Sequence, residues 1–220
     1  MRVILRAPLL SISGYGIHSR QIFEWLEAIP GIELTVDIVK WGMTAWNLNQ
    51  EAFRGTIGRI MQKSAPVEGK YDMSFQVQLP DEWDSNLAKK NIGISAFVET
   101  DRCNPEWIDK CNEMDLVIVP SKFTKTVAKR SGALTTPIKV IPEWYNDYID
   151  EDIKPLNFHT NPKFNFLMVG TITGRDAEND RKNLFYAVKW FCETFKDNKK
   201  VGLILKTSFG KGTTIDRQMT

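Results

Sequence analysis

Residues 2–31 read RVILRAPLLSISGYGIHSRQIFEWLEAIPG, and this stretch decides the fold. Val3, Ile4 and Leu5 form a short continuous apolar run, as expected of a strand buried on both faces of a parallel sheet. A loop of small residues follows, Ser11-Ile12-Ser13-Gly14-Tyr15-Gly16. The spacing then predicts an amphipathic helix from His18 to Ala28, with Ile22, Phe23, Trp25, Leu26 and Ile29 on its apolar side. Pro30-Gly31 stops it. A strand, a glycine-bearing turn and a helix in this order open a βαβ unit.

The alternation continues outward from there. Leu34–Val39 reads as a second strand, and Trp41–Lys70 as one or two helices with loops. Met73–Leu79 is a third strand. Asn91–Val98 is a fourth, with Ile92, Ile94, Ala96 and Val98 on one face. Asn104 caps a helix with Pro105 at its first position, and Trp107, Ile108 and Cys111 give its buried stripe. Leu116–Val119 is a fifth strand. Ser121 caps the next helix, which carries Phe123, Val127 and Ala128 and ends at Gly132. Ile138–Ile141 is a sixth strand, closed by Pro142. This series predicts an α/β, doubly wound parallel sheet.

The texture then changes. Glu143–Pro162 is polar and lacks periodicity, as a linker does. The pattern restarts with a strand over Phe164–Val169, a helix over Lys182–Phe195 and a strand over Val201–Leu205. The expected division is a first domain over 1–150, a linker over 151–163 and the start of a second domain over 164–220. One βαβ cannot cover a doubly wound sheet. The second domain is therefore expected to be incomplete, and the chain to be inactive alone.

Composition removes several classes. The 220 residues carry Lys+Arg 29 against Asp+Glu 27, a net charge of +2, with the signs interspersed. That gives no reason to propose a nucleic acid partner. The three cysteines, Cys103, Cys111 and Cys192, form no CxxC pair, so neither a zinc site nor a disulfide framework is expected. A reducing compartment fits, and no apolar run approaches the ~20 residues that span a bilayer. The expectation is a soluble cytoplasmic protein. Peripheral membrane contact stays open, and so does the oligomeric state.

Several of these stretches carry a resemblance. Ser13-Gly14-Tyr15-Gly16-Ile17-His18 looks like the acceptor-side glycine loop of two-domain, GT-B fold glycosyltransferases. Glu99-Thr100-Asp101 follows the fourth strand, and Met114-Asp115-Leu116-Val117-Ile118-Val119-Pro120-Ser121 and Ile141-Pro142 come next. Together they resemble the N-terminal domain of glycosyltransferase family 4. Phe166-Leu167-Met168-Val169-Gly170, then Asp180-Arg181-Lys182-Asn183 and Leu203-Ile204-Leu205-Lys206-Thr207, are similar to the donor side of that family. The resemblance implies two Rossmann-like domains. It also implies transfer of a hexosyl group from a nucleoside diphosphate sugar, with retention, to a glycan, lipid or protein acceptor. The paired-glutamate motif of the family does not occur within the chain. The acceptor-domain histidine of many members has no counterpart beside Glu99-Thr100-Asp101.

The chemistry assigns roles to the residues. Gly14 and Gly16, with the helix N-terminus behind them, suit a phosphate. The plainer alternative is a tight turn without a ligand. Arg181 and Lys206, near Gly170, suit the charge that builds on a leaving diphosphate. Arg175 is a weaker alternative, and a solvated helix start is the plain reading of Arg181. Glu99 and Asp101 suit an acceptor hydroxyl as positioning groups or base, or are simply solvated acids. His18 reaches toward the same cleft or is structural. Trp144 is the aromatic residue best placed to stack on a sugar. No metal and no cofactor besides the sugar nucleotide are expected. The rival readings are a sugar epimerase or a pyridoxal-phosphate phosphorylase on the same fold, and a non-catalytic binding module. A dehydrogenase is disfavoured because a third glycine at GxGxxG spacing is lacking.

Overall fold

In the computed structural model the described residues are all except 43, 98–99, 146–158, 173–175, 181 and 210–220. The side chains of 171–172 and 208–209 are also outside the description. The chain divides into two compact units, Met1–Ile149 and Asp150–Thr220.

The first unit is a six-stranded, all-parallel sheet flanked by helices, a Rossmann-like architecture. Its elements run β1 (Arg2–Ala7), α1 (Gly14–Glu27), β2 (Glu33–Ile38), α2 (Ala52–Lys63), β3 (Tyr71–Val77), β4 (Ala88–Ile94), α3 (Pro105–Asn112), β5 (Leu116–Val119), α4 (Lys122–Ser131) and β6 (Ile138–Val140). The strand order is β2-β1-β3-β4-β5-β6. Ser64, just past α2, makes a parallel bridge to Val36 on the free side of β2. The chain thus steps outward twice, from β1 to β2 and from β2 to Ser64, before it crosses back to β3. Right-handed crossovers place the helices of same-direction steps on one face. α1 and α2 accordingly share a face and a polar seam, with Thr56 Oγ1 donating to Glu24 Oε1 at 2.7 Å and Arg59 Nε to Glu27 Oε2 at 2.8 Å. The direction reverses between β1 and β3, which is where doubly wound sheets open a ligand crevice at their C-terminal edge.

Burial explains the faces. Val3, Leu5 and Ala7 alternate with Ile4 along β1, and all four are fully buried. Val3 and Leu5 join the core under α1 and α2, with Phe23, Leu26, Ile57 and Ile60. On the other face Ile4 packs with Tyr71 and Leu87, and farther along Val117, Val119 and Ile108 form a second core with Trp83. A polar network pins the loop before β4 to that face. Ser74 and Gln76 of β3 reach Asn91 and the Asp84 backbone, and both Gln76 amide atoms are used.

Several expectations need adjusting. α1 begins at Gly14, not His18, because Ser13 Oγ accepts from Gly16 N at 3.1 Å and caps it. The glycine loop is therefore the first turn of the helix. β4 ends at Ile94, and Ala96 N donates to the Tyr15 hydroxyl instead of continuing a ladder. Val98, expected on the same strand, lies outside the described residues. Asn104 and Ser121 cap α3 and α4 with their side chains. Gly132 follows α4 with an extended backbone; a Cβ there would come to 3.1 Å from Ile108 Cβ, so close packing of α4 on α3 is its constraint. Of the apolar residues that α4 carries, Val127 and Ala128 are buried and Phe123 is 57% exposed.

The second unit is β7 (Phe164–Ile172), α5 (Leu184–Phe195) and β8 (Val201–Phe209), with the two strands parallel and paired from Phe164↔Val201 to Ile172↔Phe209. Phe166 packs against Phe191 and Phe195 of α5. A Cβ on Gly170 would meet Leu184 at 3.0 Å. β7 runs three residues past Val169 and β8 four past Leu205, because ladder pairing continues through Thr171 and Ser208.

One substitution tests how α1 is seated. A Cβ on Gly16 would overlap the Ser11 carbonyl oxygen. Gly16→Ala is expected to cost about 1–3 kcal/mol, the usual range for overpacking. Urea denaturation of the chain reads this directly, and an unchanged midpoint would contradict the seating.

Candidate functional site

Loops after β1, β2 and β4 meet at the C-terminal edge of the first unit. Loop 8–13 and loop 39–50 are clamped together. Ser11 bridges Trp46 in antiparallel fashion, Ile12 N donates to Ala45 O at 2.9 Å, and Asn47 N to Leu10 O at 2.8 Å. Tyr15 ties in the rest. Its ring stacks on Trp41 with centroids 3.9 Å apart, and its hydroxyl lies 2.9 Å from Ser95 Oγ and accepts from Ala96 N at 3.0 Å. Burial pushes the Tyr15 phenol above its ordinary pKa; the Ser95 and Ala96 bonds oppose this, and the charges of Glu143 and Glu82 add to it. A neutral phenol is a donor and acceptor, not a base, near pH 7.

One turn further along α1 lies His18, 8% exposed. Its Nδ1 is 3.4 Å from Glu143 Oε1. Burial lowers the His18 pKa, and the Glu143 carboxylate raises it in part. The imidazole is therefore neutral near pH 7, and a proton on Nδ1 facing the carboxylate leaves the Nε2 lone pair free. Gln21, one turn on, donates through Nε2 to the Trp144 carbonyl. α1 thus holds the segment that leaves β6 at two points.

These contacts wall a pocket of about 290 Å³. His18, Ile22 and Trp25 of α1 form one side, and Phe75, Ile94 and Ile118 of β3–β5 the floor. Ile141, Pro142 and Trp144 close the C-terminal end. Trp25 meets Phe75 edge-on at 5.6 Å. Among the described residues, its lining is apolar except for His18 and the two indole N–H groups.

The expected site residues fall into different places. Gly14 is exposed, with nothing within 4 Å of where a Cβ would lie, and it opens α1. The N–H of Gly16 is taken by Ser13, so it does not offer a donor to a ligand. His18 lines the pocket. Asp101 is exposed, in the segment before α3. Glu99, Arg181 and Arg175 lie outside the described residues. Gly170 serves the packing of β7 on α5. Lys206 is exposed and pairs with Val169, inside β8 rather than past its end, on the sheet face opposite α5. The N-terminus of α5 already receives a carboxylate, since Asp180 Oδ2 accepts from Leu184 N at 2.6 Å. Glu143, Tyr15 and Ser95 were not singled out from the sequence. The only hint was Glu143 beside Trp144 after the sixth strand.

Among the described residues, no three His, Cys, Asp or Glu gather as metal ligands, and no helix is long and apolar enough to cross a membrane. No protein-family model matches the chain, and no curated protein does.

The His18–Glu143 pair has a measurable sign. In the unfolded chain His18 titrates at about 6.5, above its folded pKa, so the unfolded state holds the extra proton between the two values. Stability is expected to fall as pH drops below about 6.5. Glu143→Gln removes the charge that favours the imidazolium, so the folded pKa drops further and the loss extends to lower pH. An NMR titration of His18, one of two histidines in the chain, reads both. A midpoint above 6.5 in the parent, or a rise in the variant, would contradict the geometry.

Proposed function

We propose that this chain belongs to a nucleotide-sugar-dependent glycosyltransferase of the GT-B type. In this reading the first unit is the acceptor-side domain, and the second contributes part of the donor domain. The observation that carries the reading is the C-terminal edge at the reversal of strand order, where the exposed Gly14 opens a 14-residue helix. The N–H groups of Gly14 and Tyr15 are not used in any hydrogen bond within the described residues. Free amides at a helix N-terminus suit a diphosphate oxygen. A second parallel β-α-β unit follows in the chain, as a donor domain of this type requires.

On this reading Gly14 and the first turn of α1 take the donor phosphate. Arg181 and Lys206 are the cations proposed for the leaving diphosphate, whose developing negative charge they would stabilise without a metal. His18, with Tyr15 and Glu143 beside it, belongs to the acceptor side. Asp101 and Glu99 are the acids that would position a more polar acceptor.

Binding tests this without turnover. Thermal-shift titrations with UDP, GDP, ADP and their sugars are expected to give a saturable stabilisation with at least one nucleotide. Gly14→Asp is the informative variant. An acid in the first turn favours the helix itself, yet repels a phosphate. The variant is expected to keep or raise the melting temperature and to weaken nucleotide binding at least tenfold. Equal nucleotide affinity in parent and variant would refute the α1 phosphate site.

A further inference from the structure

The apolar pocket against α1 has its own chemistry, separate from the phosphate end of the helix. It runs from His18 to Trp25, seven residues and so about 10 Å of helix. A dry cavity of ~150 Å³ holds one benzene ring, so about 290 Å³ suits a moiety of about two rings. Three of the lining side chains, Trp25, Phe75 and Trp144, are aromatic and offer faces and edges for ring packing. Among the described residues, the lining contains no Lys, Arg, Asp or Glu. The Glu143 carboxylate, 3.4 Å from His18 Nδ1, repels an anion. Among the lining side chains, one nitrogen is free to accept a hydrogen bond, His18 Nε2.

We infer that the pocket binds a neutral, aromatic alcohol of about two rings, with its hydroxyl donating to His18 Nε2. The inference deepens the acceptor side of the reading above and rests on it for calling that alcohol the acceptor. The rings fill the slot between α1 and the sheet. The hydroxyl sits at the C-terminal end, where Pro142 and Trp144 close the pocket. Glu143 fixes the imidazole tautomer and orientation. It is a positioning residue.

Calorimetric titration of the full chain with 2-naphthol tests the assignment. Two analogues accompany it: 2-methoxynaphthalene, which has the rings but no hydroxyl proton, and naphthalene-2-sulfonate, which carries a charge. One-site saturation by 2-naphthol is expected, with both analogues at least tenfold weaker. His18→Phe is expected to bring 2-naphthol down to the affinity of 2-methoxynaphthalene, which itself does not change. Ile118→Trp fills the floor, and Ile141→Trp, at a half-exposed rim position, blocks the mouth without loading the core. Each is expected to weaken 2-naphthol at least tenfold. No saturation by 2-naphthol in a chain that retains its circular dichroism and melting transition would overturn the proposal. So would equal affinity for the three compounds, or binding untouched by Ile141→Trp. Sedimentation that shows a dimer dissociated by Ile141→Trp would also overturn it, because a second copy would then occupy the slot. The two readings fail separately. Naphthol binding without any nucleotide binding retires the glycosyltransferase reading and keeps the pocket. Nucleotide binding without naphthol binding does the reverse.

Discussion

The first turn of α1 rests on the carbonyl of Ser11, and the C-terminal edge of the first unit depends on that contact. Gly16 lets the helix come close enough. Arg20, one turn later and 6% exposed, donates from Nη1 to Leu9 O at 2.8 Å and Ser11 O at 3.1 Å. Its guanidinium lies over the Phe53 ring at 4.6 Å. A buried guanidinium is expensive unless its donors are used, and here they satisfy carbonyls that a tight loop would otherwise leave bare. The loop and the helix start are thereby locked in one register. That register carries Tyr15 to Ser95, His18 to Glu143 and Gln21 to the Trp144 carbonyl. A shift of α1 by one residue rotates it by about 100° and would break all three.

Local chemistry made much of the fold readable. A cap acts on an amide two or three residues away, so Ser121, and Asn104 with Pro105, could be recognised from neighbours alone. The strand–helix alternation was legible for a similar reason: Val3-Ile4-Leu5 and Val117-Ile118-Val119 carry their burial in composition. Distant partners were not legible. Gly14 and Gly16 look alike in sequence, yet one faces open space and the other a carbonyl from loop 8–13. His18 was visible as a candidate, but its partner Glu143 lies beyond β6 and is brought near only by the assembled fold. Lys206 looked like the residue after a strand because Thr207 and Ser208 are polar; their backbones still pair with Gly170 and Thr171.

The pocket itself follows from topology. A central strand of a doubly wound sheet has apolar residues on both faces and needs helices on both. In β5, Val117 and Val119 point into the core under α3 and α4. Leu116 and Ile118 point the other way, toward the face of α1, and are only half-buried. α1 and α2 cannot cover them, because the outward steps to β2 and to Ser64 draw both helices toward the opposite edge. Among the described residues, no helix of the first unit lies over β5 and β6 on that face. The flank of α1 that would have met such a helix carries Trp25, 47% exposed, instead of a charge. Just past the outer strand β6 come Ile141 and then Trp144, also part exposed. Apolar groups of this size facing an open slot gain no burial energy there until something apolar enters. A polar surface there would have been the cheaper solution for a face meant to stay in water. The retained aromatics, with a single neutral histidine at the end nearest the strand-order reversal, are what a binding slot requires and what a solvent face does not.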